Sequence, residues 1–344
     1  MKIAISGDWH FHSYKENSIS VDGKNSNLLR MGEIWMRMIE EAVAANCDVL
    51  AVVGDTLHVR GSIKPSVFVY VHYLMSLAAK KIPILIIPGN HDMEDYKGGA
   101  TAIDTFSDIP SVYVAGNVSS INIRGMNFFC LPYHHNIDAL KKIIEKKTAE
   151  PEFDNTDVVL MHQGIDDFKP SESIPSTGVT VEYLQWAFGN VLPVFSGHYH
   201  TPRMTENIYQ VGAPMQHHFG DEGSVRGFLI YDTTKDVTFH NLNAARFITI
   251  SSKADIADFA DLRTGDFVRI KASSVSEAAM LQSKVKLVTE NASAVIIERK
   301  YEESTRASIK VGNVRAMLEQ WIKINPDLAT DSNAMLKMYD EATA

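Results

Sequence analysis

The chain has 344 residues and a mass of 38.3 kDa, which suits one large domain with an appendage. Hydrophobic residues make up 45% and charged residues 22%, and these ordinary globular values exclude a disordered or collagen-like chain. The net charge of −9 argues against binding nucleic acid or anionic lipid by charge alone. The two cysteines are typical of free thiols, and neither a signal peptide nor a long apolar run is present. We therefore expect a cytoplasmic protein without membrane contact.

Strand-like and helix-like segments alternate through the first half of the chain. The spacing of apolar residues predicts helices over 28–46, 65–81 and 137–147. It predicts strands at 2–6, 48–53, 82–88, 111–114, 121–131, 157–161 and 191–196, followed by closely spaced strands between 208 and 239. The strand at 48–53 lacks polar alternation, so we expect it to be buried on both faces. This order of elements predicts a mixed α/β fold.

The C-terminal part has a different character. Residues 246–300 show the pattern strand, helix, strand, helix, strand, which predicts a small separate α/β unit. Residues 307–324 carry an apolar stripe at helical spacing that includes Trp321, and 332–339 form a further predicted helix. We therefore expect domains at 1–245 and 246–303, followed by a helical segment at 304–344.

Five polar clusters each follow one of the predicted strands. They are Asp8-Trp9-His10, Gly54-Asp55-Thr56-Leu57-His58, Gly89-Asn90-His91-Asp92, His162-Gln163-Gly164 and Gly197-His198-Tyr199-His200. The carboxyl ends of strands in an open α/β sheet converge on one crevice, so we expect a single site. Carboxylate, imidazole and amide donors suit manganese, iron or zinc, and the lack of cysteine argues against structural zinc. The donors outnumber what one ion takes, and a shared carboxylate would hold two ions about 3.5–4 Å apart, as in two-metal phosphoester hydrolysis.

The order D-x-H, GD-x-x-H, GNHD, a single His and GHxH resembles the calcineurin-like metallophosphoesterase superfamily over about residues 1–240. Within it, the chain is most similar to the SbcD-type nucleases and their phage relatives. GDTLH and GNHD differ from the GDxVDRG and GNHE of the protein phosphatases, and 209–232 look like the phage members. The resemblance implies a two-sheet sandwich flanked by helices, with 246–303 as a capping domain over the active site.

The resemblance also implies two divalent metal ions, manganese first, with magnesium, iron or zinc as alternatives. Asp8, His10, Asp55 and His200 would hold one ion, and Asp55, Asn90, His162 and His198 would hold the other. His91 would donate a proton or stabilise the transition state. Asp92 would orient His91 or act as a helix N-cap, and His58 would steer the substrate or be a plain buried histidine.

The implied function is that of a DNA exonuclease and endonuclease acting at DNA ends in recombination, repair or DNA degradation. An SbcC-type SMC-like ATPase would dock on 304–344, although the Trp321 stripe would equally serve to pack on its own domain. The apolar side of 65–79 is core or helps to form a homodimer. The alternatives are a hydrolase of nucleotides or small phosphodiesters, and a scaffold without metals, which the filled ligand positions argue against.

The remaining histidines have no motif around them. His134, His135, His217 and His218 fall in predicted loops, where they are solvated or line the rim of the cleft. His12 and the polar stretch 13–27 follow the first motif and form either a flexible surface loop or a contact to DNA.

Overall fold

A computed structural model of the chain describes residues 1–15, 18–95, 98–171, 178–234, 237–251, 261–289 and 292–297, with isolated residues elsewhere. It divides into two units, Met1–Ile297 and Glu298–Ala344. The helix predicted near 255–259 and Trp321 lie outside the described residues. Among those described, no helix combines the length and apolar character needed to cross a membrane.

The structure contains five α-helices within the described part of the first unit. They are α1 (Ser26–Ala44), α2 (Pro65–Ala79), α3 (Ile137–Thr148), α4 (Val181–Phe188) and α5 (Val275–Val285). Helix α1 begins where the Asn25 side chain accepts a hydrogen bond from the Leu28 N–H, and it buries an apolar stripe that includes Trp35. Helix α2 begins at Pro65, whose missing N–H costs nothing in the first turn.

The strands of the described residues are numbered in chain order. They are β1 (Lys2–Ser6), β2 (Ser20–Val21), β3 (Lys24–Asn25), β4 (Val49–Val53), β5 (Ile84–Ile87), β6 (Met93–Asp95), β7 (Gly98–Thr101), β8 (Val112–Val114), β9 (Ser119–Ile123), β10 (Met126–Leu131), β11 (Val158–Met161), β12 (Val194–Ser196), β13 (Arg203–Thr205), β14 (Ile208–Gln210), β15 (Gly227–Asp232), β16 (Val237–Asn241), β17 (Phe247–Ser251), β18 (Phe267–Ala272) and β19 (Ala292–Ile297).

Two six-stranded sheets form the body of the first unit. The first sheet has the order β16-β15-β1-β4-β5-β8, in which β1, β4, β5 and β8 are parallel, β15 is antiparallel to β1, and β16 is antiparallel to β15. The second has the order β13-β14-β12-β11-β10-β9, with antiparallel strands only at its two edges. A third sheet, β17-β18-β19, is parallel throughout.

Strand β4 shows how the layers are built. Leu50 and Val52 point into a core shared with α1 and α2, whereas Val49, Ala51 and Val53 face the second sheet. All five are fully buried, which confirms the expectation that this strand has no exposed face. Helices α3 and α4 cover the opposite face of the second sheet. The predicted two-sheet sandwich flanked by helices is confirmed.

The segment predicted as one strand at 121–131 is two strands. Strands β9 and β10 pair antiparallel around a tight turn at Arg124 and Gly125, both of which have positive φ, 53° and 89°. Glycine takes this conformation without steric cost, and its N–H donates to the Asn122 side chain. The short Arg-Gly pair between apolar runs was the available signal for this hairpin.

Strands β17, β18 and β19 and helix α5 correspond to the predicted strands and second helix of the small α/β unit. Its apolar core includes Ile250, Val268 and Ile270. This sheet belongs to the same compact unit as the sandwich, and the Phe247 N–H donates to Gln216 at 2.7 Å. The domain boundaries at 245 and 303 stay predictions. In the second unit the described residues are helical, and Arg315 contacts Asp340 at 2.8 Å.

Candidate metal centre

The five motifs meet at one edge of the sandwich. Each follows the carboxyl end of a parallel strand in one of the two central sheets, as the sequence predicted. Asp8 and His10 follow β1, Asp55 follows β4, Asn90 follows β5, His162 follows β11, and His198 and His200 follow β12. The side chains are buried or half-buried, so their donor atoms are largely removed from water.

The first group consists of Asp8, His10 and His200, whose donor atoms all lie within 4.8 Å of one another. The two imidazole Nε2 atoms are 3.1 Å apart. The His10 Nε2 atom is also 3.6 Å from Asp55 Oδ2. These are the four residues that the family resemblance places around one ion.

The second group surrounds the Asn90 side-chain oxygen. That oxygen lies 2.9 Å from His198 Nδ1 and 3.2 Å from His162 Nε2. Asp55 Oδ2 is 3.4 Å from His162 Nε2, so one carboxylate oxygen lies close to both groups, as a bridging ligand must. Asp8 also lies within 4.8 Å of Asp55 and His162, although the resemblance assigns it to the first ion only.

The donor set fits divalent ions of the manganese, iron and zinc type. His162 Nδ1 donates to the Val53 carbonyl at 2.7 Å, which leaves the Nε2 lone pair for a cation. Burial holds the pKa of His10 well below its usual range and lowers that of His198 to about 4 and that of His200 to about 3. These imidazoles are therefore neutral and able to coordinate a metal.

The acidic groups and His162 form a coupled set in the absence of metal. Burial raises the pKa of Asp8 to about 7. Burial also opposes charge on Asp55 and His162, but their mutual attraction outweighs it. This attraction holds the pKa of Asp55 far below its usual range and raises that of His162 to about 9. A metal ion entering the site must therefore displace a proton.

The backbone of the motifs has strained conformations that direct the proposed ligand side chains into the site. Asp8, His10, Asp55 and His198 all have positive φ, between 48° and 91°, a region that residues with side chains rarely occupy. Gly89 is required by close approach, because a Cβ there would lie 2.2 Å from Asp55 Oδ1. The glycines and the strained turns explain why the motifs need these residue types at these positions.

The His91 ring stands beside the predicted ligands. Its backbone N–H donates to Asp55 Oδ1 at 2.8 Å, and its ring Nδ1 lies 2.5 Å from the His58 carbonyl. The ring packs edge-on against His10 with centroids 4.7 Å apart. His58 is half-buried, stacks on His91 and lies 3.4 Å from His10 through the two Nδ1 atoms. It is therefore part of the site's wall and not a histidine enclosed in the core.

The Asp92 carboxylate forms hydrogen bonds to groups other than the His91 ring or a helix N-terminus, which the sequence suggested. Its buried carboxylate accepts backbone N–H groups from Gly89 at 2.9 Å, Leu57 at 2.8 Å and Thr56 at 3.2 Å. Burial raises its pKa to about 7 against the effect of these hydrogen bonds. Among the contacts found in the described chain, none joins Asp92 to the His91 ring, and Asp92 caps no α-helix there. It joins the second and third motif loops instead.

Two further residues lie at the site: Arg60, which the sequence analysis did not single out, and His217, which it placed either in solvent or at the rim of the cleft. Arg60 Nε donates to the Asn90 carbonyl at 2.7 Å, and the residue forms no ion pair within the described ranges. The His217 ring packs against His10 and His200, with centroids 5.4 and 5.3 Å away. The His134 ring, in contrast, bonds to the Asn136 carbonyl in its own loop, and the residue lines a cavity of about 230 Å³.

A buried group of carboxylates and imidazoles at the strand ends of a helix-flanked two-sheet sandwich defines a metal-dependent phosphoesterase. Residues 1–202 match the calcineurin-like phosphoesterase family. The match covers more than half of the chain, and the chain belongs to this family.

Two known proteins illustrate the relationship. Exonuclease subunit 1 of Enterobacteria phage T4 is 23% identical over 363 aligned positions, which cover 100% of both chains. Yfce, a phosphoesterase from E. coli of known structure, is 15% identical, with a TM-score of 0.35 over 71% of this chain and 94% of its own.

Proposed function

We propose that this chain is a DNA phosphodiesterase with a dinuclear metal centre, acting as exonuclease and endonuclease at DNA ends. The single observation that carries the proposal is the convergence of both donor groups on Asp55 Oδ2, 3.6 Å from His10 and 3.4 Å from His162. A bridging carboxylate is the feature that distinguishes a two-metal centre from two separate sites. The full-length similarity to a phage exonuclease subunit supports DNA as the substrate.

Seven side chains would hold the ions: Asp8, His10, Asp55 and His200 at one, and Asp55, Asn90, His162 and His198 at the other. When bound, two such ions neutralise phosphate oxygens and lower the pKa of the attacking water. Manganese suits the mixed carboxylate, imidazole and amide donors, and magnesium, iron and zinc are the alternatives to be compared. Val53 contributes through its carbonyl, which fixes the tautomer of His162.

His91 is the proton donor in this proposal. A carbonyl oxygen only accepts hydrogen bonds, so the His91 Nδ1 carries a proton that it shares with the His58 carbonyl. The Nε2 atom can pass a proton to the leaving oxygen only when both ring nitrogens are protonated, so the proposal requires His91 as an imidazolium that becomes the neutral Nδ1–H tautomer after the transfer. The backbone N–H of His91 donates to the Asp55 carboxylate, so His91 stays at a fixed distance from the proposed bridging ligand. His58 stacks on this ring and limits its orientation.

The proposed partner is an SbcC-type ATPase that docks on 304–344. The phage relative is named as a subunit, and its similarity extends over the whole chain, including this region. Trp321 lies outside the described residues, so support for the docking helix comes from the sequence stripe alone. We propose that the protein acts in recombination, repair or DNA degradation in the cytoplasm of a host cell. In the same proposal, residues 246–303 form a capping domain over the active site.

Helix α2 supports a homodimer. It has no charged residue in its 15 positions, and its outward side chains Val69 and Tyr73 are 65% and 56% exposed. Pairing with a second copy would remove this apolar surface from water. The double variant Val69→Asp and Tyr73→Glu should convert the dimer to a monomer in light scattering. Trp186→Glu, also 65% exposed, serves as the control, and a monomeric unsubstituted protein would refute the dimer.

The function is tested with the purified chain and Mn²⁺ on end-labelled linear duplex DNA and on a chromogenic phosphate monoester. We expect DNA hydrolysis that EDTA abolishes and that His91→Ala lowers by about 10²- to 10⁴-fold without loss of bound metal. His134→Ala is the matched control. Hydrolysis of the monoester alone would favour the small-phosphoester alternative, and bound metal without activity on either substrate would refute the enzyme proposal.

A further inference from the structure

The loop between β14 and β15 brings His217 to the metal centre. Its Nε2 atom lies 2.9 Å from the main-chain carbonyl of Asp8. Because that oxygen can only accept, His217 Nε2 carries the proton and donates it. The ring also packs against the imidazoles of His10 and His200, so His217 contacts three of the four residues proposed for the first ion.

The contact with Asp8 falls on a strained part of the chain. Asp8 and His10 have φ values of 52° and 48°, and the turn between them aims both side chains into the site. Such conformations persist only when neighbouring groups hold them in place. The N–H of Asp8 donates to the Gly54 carbonyl and the carbonyl of Asp8 accepts from His217, so the peptide groups on both sides of the Asp8 Cα are held by different parts of the chain.

His217 is itself held by a buried ion pair. Its backbone N–H donates to Asp221 Oδ2 at 2.8 Å, and Asp221 Oδ1 accepts from Arg226 Nη2 at 2.9 Å. Arg226 Nε donates to the Ser224 hydroxyl at 2.9 Å. Asp221 and Arg226 are only 7% and 5% exposed, so water competes little for these hydrogen bonds. Gln216 continues the chain of contacts from Ser224 to the N–H of Phe247 in β17.

We infer that His217 is a positioning residue of the metal centre, which holds the Asp8–His10 turn through its hydrogen bond to the Asp8 carbonyl and is held in turn by the Asp221–Arg226 pair. The inference rests on the proposed function in one respect, namely that Asp8, His10 and His200 bind a metal ion. Its consequence is specific: loss of the hydrogen bond weakens the ion at Asp8, His10 and His200 and leaves the ion at Asn90, His162 and His198 in place.

The test is titration of the metal-free full chain with Mn²⁺ in a calorimeter. His217→Leu removes the donor at similar size, whereas His217→Gln keeps an N–H near the position of Nε2. We expect two ions to bind the unsubstituted protein. His217→Leu should bind one of them about 10- to 100-fold more weakly, as is typical when a group that positions a metal ligand is lost. His217→Gln should stay within about threefold. His72→Leu, a half-buried histidine on α2, is the control.

The outcomes separate the inference from the proposed function. An unsubstituted protein that binds no Mn²⁺ would refute the metal centre itself. If His217→Leu binds two ions at unchanged affinity, or binds both ions equally more weakly, the positioning role of His217 is refuted and the metal centre is not. If His217→Leu does not fold, Asp221→Asn and His217→Gln decide. The inference requires Asp221→Asn to weaken one ion and His217→Gln to bind both ions within about threefold of the unsubstituted protein. It is overturned if His217→Gln binds as weakly as Asp221→Asn.

Discussion

A single methyl group at residue 89 is expected to abolish two-metal binding. In Gly89→Ala the new Cβ would lie 2.2 Å from Asp55 Oδ1 and 2.3 Å from the Asp55 nitrogen. Real Cβ contacts do not fall below 3.0 Å, so the carboxylate must retreat by about 0.8 Å. Metal-ligand distances tolerate only about 0.2 Å, and a misplacement near 1 Å costs about 10²-fold in rate. Both ions are affected, since Asp55 lies between His10 and His162.

The assay for Gly89→Ala is Mn²⁺ titration together with DNA hydrolysis, and thermal unfolding of the metal-free protein checks the fold. Gly116→Ala is the matched control, because its Cβ would meet only the Asp104 carboxylate, at 3.2 Å. We expect Gly89→Ala to be about 100-fold less active and to bind fewer than two ions. Gly116→Ala should keep both its activity and its two bound ions. Gly89→Ala with two bound ions and near-normal hydrolysis would refute the bridging role of Asp55.

Three further predictions concern the rim, the pH dependence and the core. Arg60→Gln should raise KM for DNA and lower the slope of DNA affinity against salt concentration by the equivalent of about one phosphate contact. Arg124→Gln, the control, should change neither. If Arg60→Gln and the unsubstituted protein have equal slopes, Arg60 makes no phosphate contact. With its pKa raised to about 9, His162 is protonated in the metal-free protein at pH 7, and Mn²⁺ must displace that proton. The apparent affinity in calorimetry should therefore fall by about tenfold per unit between pH 8 and pH 7, and more steeply below pH 7, where Asp8 also takes up a proton. An affinity that does not change with pH would contradict this prediction. Phe195→Ala should lower the free energy of unfolding in urea by about 3–5 kcal/mol, because its ring is fully buried and packs against Tyr231 of the first sheet, with ring centroids 5.6 Å apart. A loss below about 1 kcal/mol would contradict the packing of the two sheets.

The sandwich and the motif positions were readable from the sequence because they depend on local patterns. The run at 48–53 has no polar residue after Asp48, so its burial between two layers followed directly. Each motif begins where such a run ends, and parallel strands carry their carboxyl ends to the same edge. The hairpin at Arg124 and Gly125 was missed because the apolar residues on either side of it have the same periodicity as one longer strand.

The parts of the site that were not readable depend on contacts between distant residues. His217 reaches the Asp8 carbonyl across 209 positions of sequence, and nothing in its local pattern distinguishes it from the exposed His218. Asp92 stands beside His91 in the chain, which suggested a contact between their side chains. Its carboxylate instead faces the loop of Thr56 and Leu57, because the turn after β5 directs it there.

Anomalous diffraction from crystals grown with Mn²⁺ tests the central claim most directly, since it locates each ion without relying on activity. The account predicts two peaks about 3.5–4 Å apart, with the Asp55 carboxylate between them. One peak should lie beside Asp8, His10 and His200, and the other beside Asn90, His162 and His198. A single peak, or two peaks that do not share Asp55, would contradict the dinuclear centre on which the proposed DNA hydrolysis depends.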